Sequence, residues 1–388
     1  MHDVYAPPQT QEIAAAPGPN AATLRKRSAA LLGISILAAV GGGMLAAVTD
    51  SRVLLFVAGT GAAVAALVGA GMGFVAAARS RDALGIGGAL LAALANLGMT
   101  GVGLLVAFFS TMTFTRGRQL RRFGKVLLPP VASSTPANDW TQPLVDPELI
   151  DFSAVLADDE VPPSTRNALA AQWRENGRTE HASVAAFARL TLDLVGLGAP
   201  PALVAAAQRD ALDEIRHAEL CFALARAIDG ANESPGAFPG AARARTLSRV
   251  RSVALAELAV DSLVDGALHE GVSARIVAKL ARRAVDPSIR AILKQIAADE
   301  GRHSAHGWDV VKFCLAEGGA PVAHALASAV SVLPASMTSP LPTEAAAGGW
   351  ERWGIMGSAL ETLEYERARS ALVRRVAELV RPYGVLAA

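Results

Sequence analysis

Two five-residue strings hold the residues best suited to chemistry. Asp213-Glu214-Ile215-Arg216-His217 and Asp299-Glu300-Gly301-Arg302-His303 share the pattern DExRH and lie 86 residues apart. On a helix, Glu and His three positions apart sit about 60° from each other, on one face. Both side chains can therefore reach a single cation. One copy is a weak signal, because Glu and His are common on solvated helix faces. Two copies suggest a pair of cations, each met by one imidazole and one carboxylate.

A helical site of this kind takes one more Glu from each of two further helices. Glu180 lies 34 residues before Glu214, on a face shared with Trp173, Val184 and Phe187. Before Glu300 stand Glu257 and Glu270, 43 and 30 residues away. Thirteen residues turn a helix by about 220°, so these two cannot share a face. Glu270 has the spacing closer to 34, and Leu263, Gly266 and Val277 share its face. It is the expected ligand. The anticipated metal set is Glu180, Glu214, His217, Glu270, Glu300 and His303. Four carboxylates and two imidazoles suit iron or manganese, with zinc admitted. Buried together without cations, the carboxylates would have to be protonated or paired. His181 and His269 point about 100° away from their Glu neighbours and read as interfacial or surface residues. His306, one turn past His303, is a candidate neighbour of the site. Arg216 and Arg302 are expected to pair with carboxylates at the bundle surface.

The elements that must carry these residues are helices, and the sequence punctuates them. Ser164 or Thr165 can cap a first helix running to about Val195, closed by Gly196 and Gly198. Pro200 and Pro201 open a second, to about Asp229. Residues 230–244 are rich in Gly, Pro, Asn and Ser and fit a long crossover. A third helical stretch runs from about Thr246 to Val285. Asp286-Pro287 starts a fourth, ending at Gly318-Gly319. Shorter helices are expected over about 321–332 and 349–380. The predicted class is all-α: a four-helix bundle over 164–318 with a C-terminal helical extension over 319–388.

Upstream the composition changes. Ser28–Thr49, Val53–Ala78 and Ala83–Thr115 contain no charged residue, and each is apolar all round. A hydrocarbon core takes about 20 helical residues, so three transmembrane helices are expected, at about 29–48, 53–78 and 84–110. Gly69 and Gly73 have the GxxxG spacing that lets helices approach closely. A disordered Pro- and Ala-rich tail, 1–27, precedes them. A basic, then Pro-rich linker over 116–163 follows, its Pro-rich part, 126–163, expected on the surface. Five Lys and Arg flank one side of the spans and six the other, which leaves orientation open. The dense cluster after the third span tips the expectation toward a cytoplasmic C-terminal domain.

Over 388 residues, 52% are hydrophobic and 18% charged, with net charge +1. Nothing there favours a nucleic-acid partner. Cys221 and Cys314 are far apart and in no CxxC, so neither a disulfide framework nor a thiolate metal centre is expected.

Trp173 through Ser183 reads WxxxxRxEHAS. With Asp213–His217, the looser match Val264 through Glu270, and Asp299–His303, it resembles the ferritin-like superfamily of di-iron carboxylate proteins. The resemblance covers about 165–317, roughly 40% of the chain. It implies two iron ions held by the six residues above. It also implies that Asp213 and Asp299 each hold the histidine of the opposite helix. Three classes of function follow as expectations. One is an oxidoreductase using O₂ or peroxide with an external electron donor. The second is a non-enzymatic iron-binding or protective protein. The third is a structural bundle with a vestigial site. No tyrosine lies between Tyr5 and Tyr365, which disfavours a tyrosyl-radical generator. The lipid bilayer is the remaining expected partner.

Overall fold

A computed structural model describes residues 22–24, 26–34, 36, 52–79, 117–122, 125–146, 149–157, 161–239 and 247–386. The chain divides into two compact units, Met1–Ser110 and Thr111–Ala388.

In the first unit, α1 spans Arg52–Arg79. Ala66, Gly69, Ala70, Gly73 and Ala76 form its buried face. Ser28 Oγ, from the helical residues 26–34, donates to the Gly69 carbonyl at 2.7 Å, and Leu24 packs on Ala76. Small side chains bring the two backbones this close. The expectation of three membrane-crossing helices is not met among the described residues. The segment 84–110 and most of 29–48 lie outside them. The one described helix long and apolar enough to cross a membrane is Pro287–Ser331, and it is a core helix of the second unit.

The second unit is built on helices. Two short strands, β1 (Arg121–Arg122) and β2 (Lys125–Val126), form a hairpin at its start. The strand β3 (Val131–Ser133) pairs antiparallel with β4 (Glu233–Pro235). The Pro-rich stretch is thus tied to the crossover connection, and Ile150, Val155, Leu156 and Val161 within it are buried. The expectation of a surface linker is corrected here. Its apolar residues occur without helical or strand period, so sequence pattern gave no hint of burial.

The four long helical segments are α2 (Pro163–Gly196), α3 (Pro201–Asp229), a compound third segment and α6 (Pro287–Ser331). Pro163 and Pro201 occupy first turns, where the missing N–H costs nothing. Neither Ser164 nor Thr165 caps α2; Pro162 stands at the cap position without a side-chain bond. Asp286 caps α6 as expected, accepting the Ile289 N–H at 2.9 Å. The α6 backbone breaks at Gly319 (φ 59°, ψ −138°), two residues before Pro321. The compound segment consists of α4 (Arg251–Asp261), a π-helix (Ser262–Glu270) and α5 (Gly271–Arg283). It packs along α6, α2 packs along α3, and α3 meets α6 between the two pairs. At the tightest crossing, Gly307 of α6 lies on Gly266 of the π-helix; a Cβ on Gly307 would sit 2.7 Å from the Ala267 nitrogen. A π-turn leaves the backbone ladder irregular, and such turns are frequent at functional sites. Here Ser304 of α6 donates its hydroxyl to the Ala267 carbonyl at 3.0 Å. The C-terminal part adds α7 (Thr343–Ala346) and α8 (Ser358–Val380), with α8 packed on α5 and α6.

Candidate metal centre

All six anticipated ligands face one another in the bundle interior. Glu180 comes from α2, Glu214 and His217 from α3, Glu270 from the last position of the π-helix, and Glu300 and His303 from α6. None is more than 5% exposed. They form two groups whose candidate ligand atoms lie within 4.8 Å of one another. Glu180, Glu214, His217 and Glu300 make one; Glu214, Glu270, Glu300 and His303 make the other. Glu214 and Glu300 belong to both. Glu257 is only partly buried and joins neither group.

The ring nitrogens are sorted by what lies behind them. His217 Nε2 is 3.0 Å from Asp299 Oδ2, and His303 Nε2 is 3.3 Å from Asp213 Oδ2. Each aspartate thus backs the imidazole of the opposite helix. Both Nδ1 atoms turn inward: His217 Nδ1 is 3.7 Å from Glu214 Oε2, and His303 Nδ1 is 3.1 Å from Glu214 Oε1. Arg302 ties the two supports together, 3.0 Å from Asp213 and 2.7 Å from Asp299. Arg216, its counterpart on α3, instead reaches the Leu144 carbonyl at 3.4 Å.

Whether metal fits can be tested on the polar atoms left over. Both oxygens of Glu214 and of Glu300, Glu270 Oε2, and Nδ1 of His217 and His303 are buried with no hydrogen-bond partner. One buried polar atom without a partner costs about 1–3 kcal/mol. Seven in one place, all oxygen or imidazole nitrogen, are what a pair of hard or borderline cations would satisfy. These buried groups could hold metal ions.

The electrostatics agree. Burial, then the neighbouring carboxylates Glu214 and Glu300, raise the Glu180 carboxyl well above its ordinary range. Burial and Glu300 do the same to Glu270. Burial also pushes Glu300 up, but the neighbouring Glu270 and His303 outweigh it and hold that carboxyl low, at about 2. Burial works against the charged form of His217, yet Asp299 and Glu214 lift its pKa to about 10. His303 is raised well above its usual value, burial being overcome by Asp213, Glu214 and Glu300. The raised values of Glu180, Glu270, His217 and His303 all favour the protonated forms in this centre.

The neighbouring histidines find partners outside the six residues. His269 is not at the surface; it is buried, 3.4 Å from Asp265 one turn earlier. His181 packs edge-on against Trp140, ring centres 5.0 Å apart. His306 joins neither four-residue group and bonds Asp210, Nδ1 to Oδ2 at 2.6 Å. Asp210 also lies 3.8 Å from His303 Nε2. Sequence reasoning missed it, although its spacing of three and four to Asp213 and Glu214 places it on their side of α3. The largest omission is Gly117–Leu120, given no part in the site by sequence reasoning and in fact buried beside it. The Arg118 N–H donates to Glu270 Oε1 at 2.6 Å, and its guanidinium lies 5.6 Å from the centre of the Phe187 ring. Phe187 in turn packs edge-on against His303 at 5.2 Å. Comparison with known protein families, with curated proteins and with solved structures finds no match.

Proposed function

We propose that this chain is a membrane-anchored, ferritin-like protein whose bundle holds a carboxylate-bridged pair of metal ions, iron by preference. Its reading as an oxidoreductase follows from that pair. The observation that carries the reading is the set of seven unpartnered, inward-facing ligand atoms, grouped four side chains by four around shared Glu214 and Glu300. When bound, a di-iron pair supplies electrons to O₂ or peroxide. The chain's own residues do the rest. Glu214 and Glu300, shared by both groups, would serve both ions. Glu180 and Glu270 complete one half-site each. Asp299 and Asp213 hold the His217 and His303 rings so that Nδ1 points inward, which fixes tautomer and basicity. Phe187, nearly fully buried, covers His303 from the α2 side. Cys221 and Cys314 are buried, and burial pushes the Cys314 thiol up to about 12. Neither suits electron transfer, so reducing equivalents are assigned to an external donor.

Support for the membrane anchor comes from α1. Its small residues face inward, while Val64, Leu67, Val68, Phe74 and Val75 are 44–59% exposed. Large apolar side chains outside and small ones inside suit a helix solvated by lipid tails. The full chain should partition into detergent-extractable membranes; recovery in the soluble fraction would refute the anchor. The metal reading is tested on the detergent-purified chain. About two ions per chain are expected, with new optical absorption when ferrous iron and O₂ are added together. A folded protein that binds neither iron nor manganese would sink it.

A further inference from the structure

Gly117–Leu120 follows directly after the third uncharged segment and enters the bundle beside the metal centre. Gly117, Arg118, Gln119 and Leu120 are all buried, Arg118 to 2% exposure. Three contacts seat the strap. Its Arg118 N–H bonds Glu270 Oε1 at 2.6 Å. Gly117 has φ +73°, and a Cβ there would lie 3.0 Å from Glu270 Oε2. The Arg118 guanidinium fills the space over Gly266, where a Cβ would come within 2.6 Å of Nη2. The far end is closed by the Leu127 N–H, which donates to the Leu120 carbonyl at 2.9 Å.

The two oxygens of Glu270 are therefore unlike. Oε1 is engaged by the strap, and Oε2 is buried with no hydrogen-bond partner. We propose that the Gly117–Arg118 strap is a positioning element for the Glu270 half-site: by holding Oε1 it commits Glu270 to bind through Oε2 alone, so strap docking and metal loading stabilise each other. This rests on the di-metal reading above. The coupling is reciprocal by thermodynamic necessity: a loosened strap weakens metal, and metal tightens the strap. It also joins the state of the centre to the segment that leads into the apolar N-terminal unit.

The test uses the full chain in detergent with Mn²⁺ alone as the probe. Trypsin cleavage after Arg118, followed by mass spectrometry, should slow about tenfold or more when Mn²⁺ is present, the size of a typical coupling between sites. Cleavage after the exposed Arg249 should not change. Equal rates after Arg118 with and without Mn²⁺ would overturn the inference. Calorimetric titration supplies the second arm. R118P, which removes the N–H, and G117A, which crowds Oε2, should each weaken one of the two Mn²⁺ ions by about 10–100-fold and leave the other in place. R118K keeps the backbone donor and should retain both affinities. Parental affinities in R118P and G117A would also overturn the strap's role. A parent chain that takes up no Mn²⁺ would overturn the metal reading itself, and the strap inference with it.

Discussion

Loading the centre should expel protons, and the number can be worked from its groups. At neutral pH in the metal-free protein, His217 is protonated, with a pKa of about 10, and His303 is raised well above its ordinary value. A cation takes the neutral imidazole, so each ring must surrender one proton. Glu180 and Glu270, both raised well above the usual carboxylate range, surrender up to one each. Two dications should therefore displace between two and four protons per chain at pH 7. The charge arithmetic is consistent: four protons carry the same charge as two dications. The assay is a titration of weakly buffered, metal-free protein with Mn²⁺ or Zn²⁺, read with a pH indicator. The overall loading constant should also rise by about two to four decades per pH unit, each displaced proton contributing about 1.36 kcal/mol per unit. Release of fewer than one proton per chain, or a loading constant flat with pH, would refute this account of how the empty centre balances its charge.

Further outcomes follow from the same geometry. The metal-free protein should lose stability as pH rises. The His217 pKa is lifted from about 6.5 unfolded to about 10 folded, so its contribution, roughly 5 kcal/mol, is complete below pH 6.5 and gone above 10. Glu180 and Glu270 act with the same sign from lower pH. A melting temperature rising between pH 6.5 and 10 in chelator would contradict it. Glu270→Ala should lower bound metal far more than Glu257→Ala, measured by elemental analysis; equal losses would displace Glu270 from the ligand set. Asp213→Asn and Asp299→Asn should keep the helical circular dichroism while weakening metal affinity by about 10–100-fold. Unchanged affinity in both would remove the aspartates from the support of the rings.

The sequence was most legible where one rule governs several residues at once. A Glu and a His three apart share a helix face whatever surrounds them, so Glu214, His217, Glu300 and His303 could be placed together from spacing alone. Glu270 was reached by an angular argument that assumed a uniform α-helix. The structure puts a π-helix over Ser262–Glu270, yet the thirteen-residue offset still leaves Glu257 outside the clusters. A widened turn has no signature in single-residue preference; it shows only in the glycine crossing it accommodates. Arg118 was passed over, since a charged residue ordinarily lies at the surface. Its burial depends on contacts with residues far away in sequence, Glu270 at 152 positions among them, which local pattern cannot register.

The repeated DExRH string looks symmetrical on paper, and the molecule is not. Arg302 grips both aspartates, while its twin Arg216 holds neither and ends on the Leu144 carbonyl. Two copies of one motif have thus divided the labour: one arginine steadies both histidines, and the other is released to pin an unrelated stretch of chain. A change at Arg302 is felt by both halves of the centre together, and the same change at Arg216 by neither. Counting motif copies would assign these positions equal weight; tracing where each guanidinium ends does not.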